Sequence, residues 1–278
     1  MQGDIKIRLI YSFDGSKFCG SQTQPNGKAV EDRLNSALFR CGINEKVISA
    51  SRTDKGVHAL SQISTTHCAA FWDLQNLRHF INRHAKPSIY VRKIERADEN
   101  FQVRFDAKAR SYRYILNHDE FSPFFSNYFY FYPKISPFLL NLSLGIFVGK
   151  HDFSEFMKSG SAGGSVREIY KAFAYRYKNF TIINFKANGF LRAQVRLMVA
   201  NALKCVKILE KSFSNKKINE ISNFYKNNKN LKFNEILKNK DFNIEKIIND
   251  NNFPLNINKA ITRIPASPNG LYLNKIWY

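Results

Sequence analysis

A carboxylate placed among positive charges is the feature of this sequence most suited to chemistry. The stretch SRTDKGVHA, residues 51–59, sets Asp54 between Arg52 and Lys55 and just ahead of Gly56. An Asp shortly before Gly commonly forms a tight turn, and this is the simpler interpretation. Nearby cations also keep a carboxylate ionised, and an ionised carboxylate in an enclosed pocket can act as nucleophile or base. The spacing alone leaves both interpretations open.

Other residue types that carry chemistry form no recognisable site. The four cysteines are far apart, and none of the six histidines forms an HxxxH or HExxH pair. A zinc or redox site would need closer spacing. The sequence also lacks GxxxxGK[ST], GxSxG and a GxGxxG that follows a strand. We therefore expect neither a metal nor a cofactor.

Positive charge dominates the composition. The 278 residues include 43 Lys and Arg against 22 Asp and Glu, a formal net charge of +21, and 44% of them are hydrophobic. A folded protein with this charge steers polyanions and releases their counterions, so nucleic acid is the leading partner. A genome rich in A and T would also load a chain with Lys, Asn, Ile and Phe. Charge by itself therefore does not decide the function.

The sequence predicts a soluble, reduced, cytoplasmic protein with no membrane segment. Its first residues, MQGDIKIRLIYSF, are charged from Asp4 onward and lack the apolar core of a signal peptide. The most apolar later stretch, 138–149, is too short and too polar to span a bilayer.

The elements that would position Asp54 alternate between strands and helices. Apolar periodicity predicts strands at 5–12, 47–49, 61–66, 88–97 and 109–117, a hairpin over 171–187, and helices at 29–42, 72–85 and 191–209. The Lys- and Asn-rich stretch 204–252 is interpreted as small surface helices, and 158–165 as a mobile loop. The predicted class is α/β or α+β, with one half over 1–104 and another over 105–278.

The strand at 109–117 has two interpretations. Alternation puts Arg110, Tyr112 and Tyr114 on one face. Rings and guanidinium groups on an open face would suit stacking on bases and contact with phosphate. The alternative is a face buried against helices, with the polar ends of Tyr and Arg reaching the edge. The segment by itself favours burial.

Five motifs together resemble the tRNA pseudouridine synthase A family along nearly the whole chain. They are YSFDGSKFCGSQTQPNGKAVEDRL at 11–34, SRTDKGVHA at 51–59, FQVRFDAKARSYRYIL at 101–116, FKANGFLRAQVRLMV at 185–199 and NGLYLNKIWY at 269–278. They occur in the family's order at family-like separations. Any one motif would be suggestive, whereas the five together are highly specific.

The resemblance implies a reaction and its residues. Asp54 would be the catalytic residue of an isomerase that breaks the N1–C1′ bond of uridine in RNA and joins C5 to C1′, by attack on C1′ or by removal of the 2′ proton. Tyr112 would stack on the target base and take part in proton transfer, and Arg196 would form an ion pair with Asp54. Arg52 would fill the space left by the flipped-out nucleotide.

The predicted substrate contacts and the departures from the family pattern complete the site. The predicted substrate-binding residues are Tyr112, Arg52, Lys55, His58 and Arg110. Ser21 stands where the family usually has Trp, Ser51 where Gly is common, and 192–194 reads Arg-Ala-Gln in place of a His-rich run. None of these changes removes a predicted catalytic group, but they leave the details of RNA docking open.

The resemblance further implies a fold and partners. The expected fold has two α/β halves whose antiparallel sheets join into one extended sheet, with helices on the outer faces and a central RNA-binding cleft. The expected assembly is a homodimer acting on uridines 38, 39 and 40 in the anticodon stem-loop of tRNA, with loop 158–165 helping several positions to reach one pocket.

Three alternatives stay open. The first is a non-catalytic tRNA-binding or chaperone protein on the same fold, although a carboxylate near a polyanion would only weaken pure binding. The second is a pseudouridine synthase for another RNA or another position. The third is a basic DNA-binding module, for which the sequence has no helix-turn-helix or zinc-finger pattern.

Overall fold

The computed structural model describes residues 3–159, 164–212, 214–227 and 259–278. Five helices and ten strands are assigned in these ranges. The strands are β1 (Asp4–Phe13), β2 (Ile48–Ser49), β3 (His58–Ala69), β4 (Ile89–Arg96), β5 (Ala109–Asn117), β6 (Tyr130–Phe131), β7 (Gly149–Asp152), β8 (Val166–Tyr177), β9 (Phe180–Ala187) and β10 (Leu271–Trp277). The helices are α1 (Val30–Phe39), α2 (Leu74–Ala85), α3 (Pro137–Gly145), α4 (Gln194–Ser212) and α5 (Asn215–Asn227).

The chain divides into two compact units. The first comprises Met1–Arg113, Phe121–Tyr130 and Pro268–Tyr278, and the second comprises Tyr114–Glu120 and Phe131–Ser267. This differs from the expected division at residue 104. The C-terminal strand belongs to the first unit because β10 pairs with β3.

The first unit is built on a sheet with the strand order β4-β1-β3-β10, followed by the first residues of β5. β1 lies antiparallel to β3 and to β4, β2 pairs with β3, and β10 runs parallel to β3. The strand predicted at 5–12 is confirmed as β1, and its alternate side chains Ile7, Leu9, Tyr11 and Phe13 are buried. Helix α2 packs against β4 and α1.

The second unit contains the last residues of β5, then β9, β8 and β7 in the strand order, with β6 on β5. The predicted hairpin is β8 and β9, which pair from Tyr177↔Phe180 onward and turn at Lys178, a residue of positive φ. Helix α3 packs against β8 and α4. The predicted apolar stripe of α4 is buried: Val195, Met198, Val199, Ala202, Leu203 and Val206.

The α+β class is confirmed, since the described strands form an open, mostly antiparallel sheet accompanied by helices. Within 204–252, α4 continues to Ser212 and α5 covers Asn215–Asn227, while 213 and 228–252 lie outside the described residues. The central part of the predicted mobile loop, 160–163, also lies outside them. No described helix has the length and apolar character that crossing a bilayer requires.

Candidate active site

Asp54 lies on the loop that leads into β3. The backbone turns at Lys55 and Gly56, and the amide of Val57 donates to the carbonyl of Asp54 over 3.1 Å. Gly56 has a φ of +80°, and a Cβ there would lie 2.9 Å from Cγ of Pro268. Asp54 therefore is part of a turn, as the simpler interpretation predicts. The turn also leaves its side chain half-buried, so the structure is compatible with a chemical role.

Ser21 anchors the backbone directly before Asp54. Its amide donates to the carbonyl of Thr53 at 3.1 Å, and its hydroxyl accepts from the amide of Thr53 at 2.8 Å. Ser21 is buried, so both bonds are shielded from water. The residue that departs from the family's usual Trp thus binds both backbone groups of Thr53, in the loop of the candidate catalytic residue Asp54 (residues 51–57, the catalytic loop).

Ser51, the second departure, connects the loop to β5. Its hydroxyl accepts from Nε of Arg110 at 3.0 Å, and its carbonyl accepts from the side-chain amide of Gln62 at 2.7 Å. Arg110 also donates through Nη2 to the carbonyls of Ala50 and Arg104, at 3.1 and 2.8 Å. Arg110 therefore fixes the start of the loop, a positioning role that the prediction of substrate contact did not include.

Tyr112 is buried beside this network. Burial raises the pKa of its phenol to about 12, the Arg110 guanidinium acts in the opposite direction, and the Asp54 carboxylate raises it further. The phenol also makes a hydrogen bond with Ser51. Asp54 and Tyr112 therefore lie within range of an electrostatic interaction in the first unit. Burial of Tyr112 and Tyr114 agrees with the buried interpretation of the β5 face.

The cations on either side of Asp54 face solvent. Arg52 and Lys55 are both exposed, whereas Thr53 between Arg52 and Asp54 is buried. Arg52 precedes the anchored residue Thr53, and Lys55 lies in the turn itself, so both cations can face solvent while the loop remains anchored. Exposed cations of this kind are available to meet phosphate.

His58 is buried and engaged by protein groups. Its Nδ1 accepts from the amide of Gly15 at 3.1 Å, which leaves Nε2 to donate to the carbonyl of Asn127 at 2.8 Å. Its ring stacks on Tyr272 with centroids 4.7 Å apart. Burial lowers the pKa of His58, so the neutral form is favoured. Since both nitrogens are occupied, the predicted substrate contact of His58 has no support in this geometry.

A polar network around Asp14 was not predicted from the sequence. Asp14 accepts from the hydroxyl of Tyr128 at 3.0 Å and from the amide and hydroxyl of Ser16 at 3.0 and 2.7 Å. Partial burial acts to raise the pKa of Asp14, but these bonds and nearby His58 together lower it. The only sequence signal was the position of Asp14 inside the first family motif.

Arg196 lies in the second unit, on the first turn of α4. Its Nε donates to the carbonyl of Ala266 at 2.7 Å, and the amide of Ala266 donates to the carbonyl of Arg196 at 3.1 Å. The helix start is defined by Ala193 at φ +60° and by the side-chain oxygen of Gln194, which accepts from the amide of Leu191 at 2.7 Å. These contacts orient the guanidinium within its own unit.

Among the described residues, no three His, Cys, Asp or Glu side chains lie close enough together to hold a metal ion.

Comparison with known proteins agrees with the motifs. A family model described as tRNA pseudouridine synthase matches residues 9–106 and 145–247. The chain is 41% identical over 276 residues to tRNA pseudouridine synthase A of Campylobacter jejuni subsp. doylei, covering 99% of this chain and 100% of that protein. It is 34% identical over 278 residues to tRNA pseudouridine synthase A of Helicobacter pylori strain J99, covering 98% of this chain and 99% of that protein. The chain therefore belongs to the tRNA pseudouridine synthase family and is an isomerase that converts uridine in tRNA to pseudouridine.

Proposed function

We propose that the chain isomerises uridines 38, 39 and 40 of the tRNA anticodon stem-loop, with Asp54 as the catalytic nucleophile or base. The observation that carries the proposal is the placement of Asp54 on an anchored loop, close enough to the Tyr112 phenol to act on its pKa. A carboxylate held in place against the ribose is what either chemical route requires.

Tyr112 and Arg196 have distinct proposed roles. Burial keeps the Tyr112 phenol protonated at neutral pH, so it can stack on the uracil ring and hold or deliver a proton. For Arg196 the family resemblance supports the role of ion-pair partner of the Asp54 carboxylate, which would offset the cost of enclosing that charge when the substrate binds.

The substrate contacts are proposed from exposure and charge. Arg52 and Lys55 are exposed and meet the RNA backbone, and Arg52 also occupies the space of the flipped-out nucleotide. Arg110 contributes from within the Ser51 network, while His58 positions the loop through its two bonds to backbone groups.

We further propose a cytoplasmic homodimer. The resemblance to the family supports it. The rival that remains as an outcome of experiment is a synthase for another position in RNA. A tRNA-binding protein without catalysis is disfavoured by the similarity to tRNA pseudouridine synthases over nearly the whole chain.

The test is tritium release from tRNA transcripts that carry C5-tritiated uridine. C5 loses its hydrogen only when the new carbon–carbon bond forms, so the label reports the proposed reaction. Wild-type protein should release tritium from transcripts with uridine at positions 38–40 and not from transcripts in which cytidine replaces those uridines. Equal tritium release from both kinds of transcript would keep the reaction class and show that the modified uridine lies at another position.

Asp54→Asn provides the matched variant. It keeps the size of the side chain and removes its charge, so we expect turnover to be lost while tRNA binding is unchanged or slightly tighter. Turnover at the wild-type rate in Asp54→Asn would remove the catalytic role of Asp54. Tight binding by the wild type without release from any RNA would favour the binding-protein alternative.

A further inference from the structure

A group of exposed aromatic rings in the first unit has no part in the proposed reaction. Phe121, Phe124 and Phe125 are 66%, 84% and 55% exposed. Single exposed apolar side chains are common on protein surfaces and need no explanation. These three strongly exposed rings lie within five residues of the chain, and exposed apolar surface at this density is typical of contact surfaces. We call these three residues the phenylalanine cluster.

The segment that carries the phenylalanine cluster is internally ordered. The amides of Tyr128 and Phe129 both donate to the carbonyl of Phe125, at 2.9 and 3.1 Å. The hydroxyl of Ser126 donates to the carbonyl of Pro123 at 2.8 Å. The rings therefore project from a hydrogen-bonded turn, and little conformational entropy would be lost when a partner binds them.

The same segment is attached to the end of the catalytic loop. His58, four residues beyond Asp54, donates through Nε2 to the carbonyl of Asn127. The side-chain amide of Asn269 donates to the carbonyl of Ser126 at 2.6 Å. Neighbouring Pro268 packs against Gly56 of the catalytic loop. Hydrogen bonds and packing within the first unit thus connect the segment of the phenylalanine cluster to the loop that carries Asp54.

The chemistry of this surface fits unpaired nucleotides. Residues 121–130, FSPFFSNYFY, carry no charged side chain, while the catalytic loop exposes Arg52 and Lys55. Aromatic rings stack on any base because every base has a π-face, whereas cations meet the phosphates. In a paired stem the base faces are covered, so only nucleotides in a loop can offer them.

We propose that the phenylalanine cluster is a stacking platform for unpaired bases of the tRNA that lie beside the nucleotide on which Asp54 acts. The net charge of +21, together with the exposed Arg52 and Lys55 on the loop to which the segment is attached, favours a polyanionic RNA as the partner of this surface. The choice of RNA region for this stacking platform rests on the proposed function.

The test compares the double variant Phe124→Ala/Phe125→Ala with the wild type. Its dissociation constant for an unmodified tRNA transcript should rise about tenfold or more, since stacking on each ring contributes to binding. The dependence of binding on salt should stay the same, because no cation is removed. At saturating tRNA, the rate of tritium release in a single turnover should remain near that of the wild type.

Two further variants serve as controls. Phe39→Ala removes a ring that is 68% exposed at the end of α1, and it should leave the dissociation constant unchanged. Phe124→Trp keeps a stacking surface and should retain binding. Thermal unfolding checks that each variant folds, which surface positions should permit.

The outcomes separate this proposal from the proposed function. An unchanged dissociation constant in the double variant, with normal tritium release by the wild type, would overturn the platform alone. Weaker binding by the double variant when the wild type releases no tritium would support the platform while the proposed reaction fails. A shift from dimer to monomer in sedimentation, accompanying the loss of binding, would assign the phenylalanine cluster to contact between copies and overturn the platform.

Discussion

Asp54 and Tyr112 differ in their access to solvent, and this difference suits different tasks. Asp54 is half-buried and is flanked by exposed cations, so a ribose can approach it. Tyr112 is buried, with a pKa raised to about 12 by that burial and by the Asp54 charge. Near neutral pH the phenol therefore keeps its proton, so the proposed role of Tyr112 rests on its ring and its hydroxyl and not on a phenolate.

Replacement of Tyr112 by Phe tests these two parts separately. Tyr112→Phe keeps the ring that stacks on the base and removes the hydroxyl, so we expect turnover to fall by about tenfold or more while the dissociation constant for tRNA changes much less. Single-turnover tritium release and filter binding measure the two quantities.

The matched control is Tyr114→Phe, two residues along β5. Its hydroxyl donates to the carbonyl of Ser267 at 2.8 Å, and its loss should lower the free energy of unfolding by about 1 kcal/mol without a selective loss of turnover. Equal losses of turnover and affinity in Tyr112→Phe would contradict a proton-transfer role for Tyr112.

At the scale of elements, the loop between β2 and β3 depends on Ser21. Ser21→Ala leaves the buried amide of Thr53 without its acceptor, which should cost about 1–3 kcal/mol in the free energy of unfolding. We also expect a lower single-turnover rate, because Asp54 follows the peptide that Ser21 holds. Urea unfolding and tritium release give the two readouts.

Ser143→Ala in α3 is the control that separates a loss of stability from a loss of Asp54 positioning. Ser143 is as buried as Ser21, and its hydroxyl donates to the carbonyl of Leu139 at 2.9 Å. This variant should lose stability and keep its turnover rate. If Ser21→Ala also keeps the wild-type rate under conditions where it is fully folded, the anchoring role of Ser21 is wrong.

Near the C-terminal end of β3, His67 interacts with two carboxylates in a way that depends on pH. His67 lies within hydrogen-bond distance of Glu45 through Nδ1, at 2.6 Å, and of Glu99 through Nε2, at 3.1 Å, so the imidazolium form can donate to both carboxylates. Slight burial acts to lower the pKa of His67, but the two carboxylates raise it above its ordinary value of 6.5. The resulting stability is fully present below that value and is lost as the pH rises through the raised pKa of the folded state.

His67→Gln measures this link. The difference in unfolding midpoint between wild type and His67→Gln should be larger at about pH 5.5 than at about pH 9, since only the imidazolium bonds both carboxylates. His79→Gln on α2 controls for loss of an exposed imidazole. A difference that is the same at both pH values would show that protonation of His67 contributes nothing to stability.

At the scale of the whole molecule, the net charge of +21 predicts tRNA binding that weakens steeply with salt. Each cation that meets phosphate contributes roughly one unit to the slope of log affinity against log salt concentration. Lys55→Ala should therefore reduce the slope by about one and weaken binding alike for all tRNAs. Lys46→Ala, also an exposed lysine of the first unit, gives the comparison. An unchanged slope in Lys55→Ala would place Lys55 away from phosphate.

Local patterns in the sequence determined the elements and the family. The period of two in β1 and the apolar stripe of α4 predict a strand and a helix because each element buries one face, whatever its neighbours are. The five motifs determined the reaction class, since they carry residue types at separations that the matching family shares. Asp54 and Tyr112 could be named for the same reason.

Only the tertiary structure decided how distant segments complete the first unit. β10 pairs in parallel with β3, with Tyr272 opposite His58, and residues 121–130 join the same unit. The pairing of Tyr272 with His58 links positions 214 residues apart (272 − 58), and local propensity carries no information on such pairing. For the same reason His58, a substrate contact by its place in a motif, became a buried link between Gly15 and Asn127. The hydrogen-bond partners of a side chain depend on which segments of the chain meet in space, and only the tertiary structure determines those meetings.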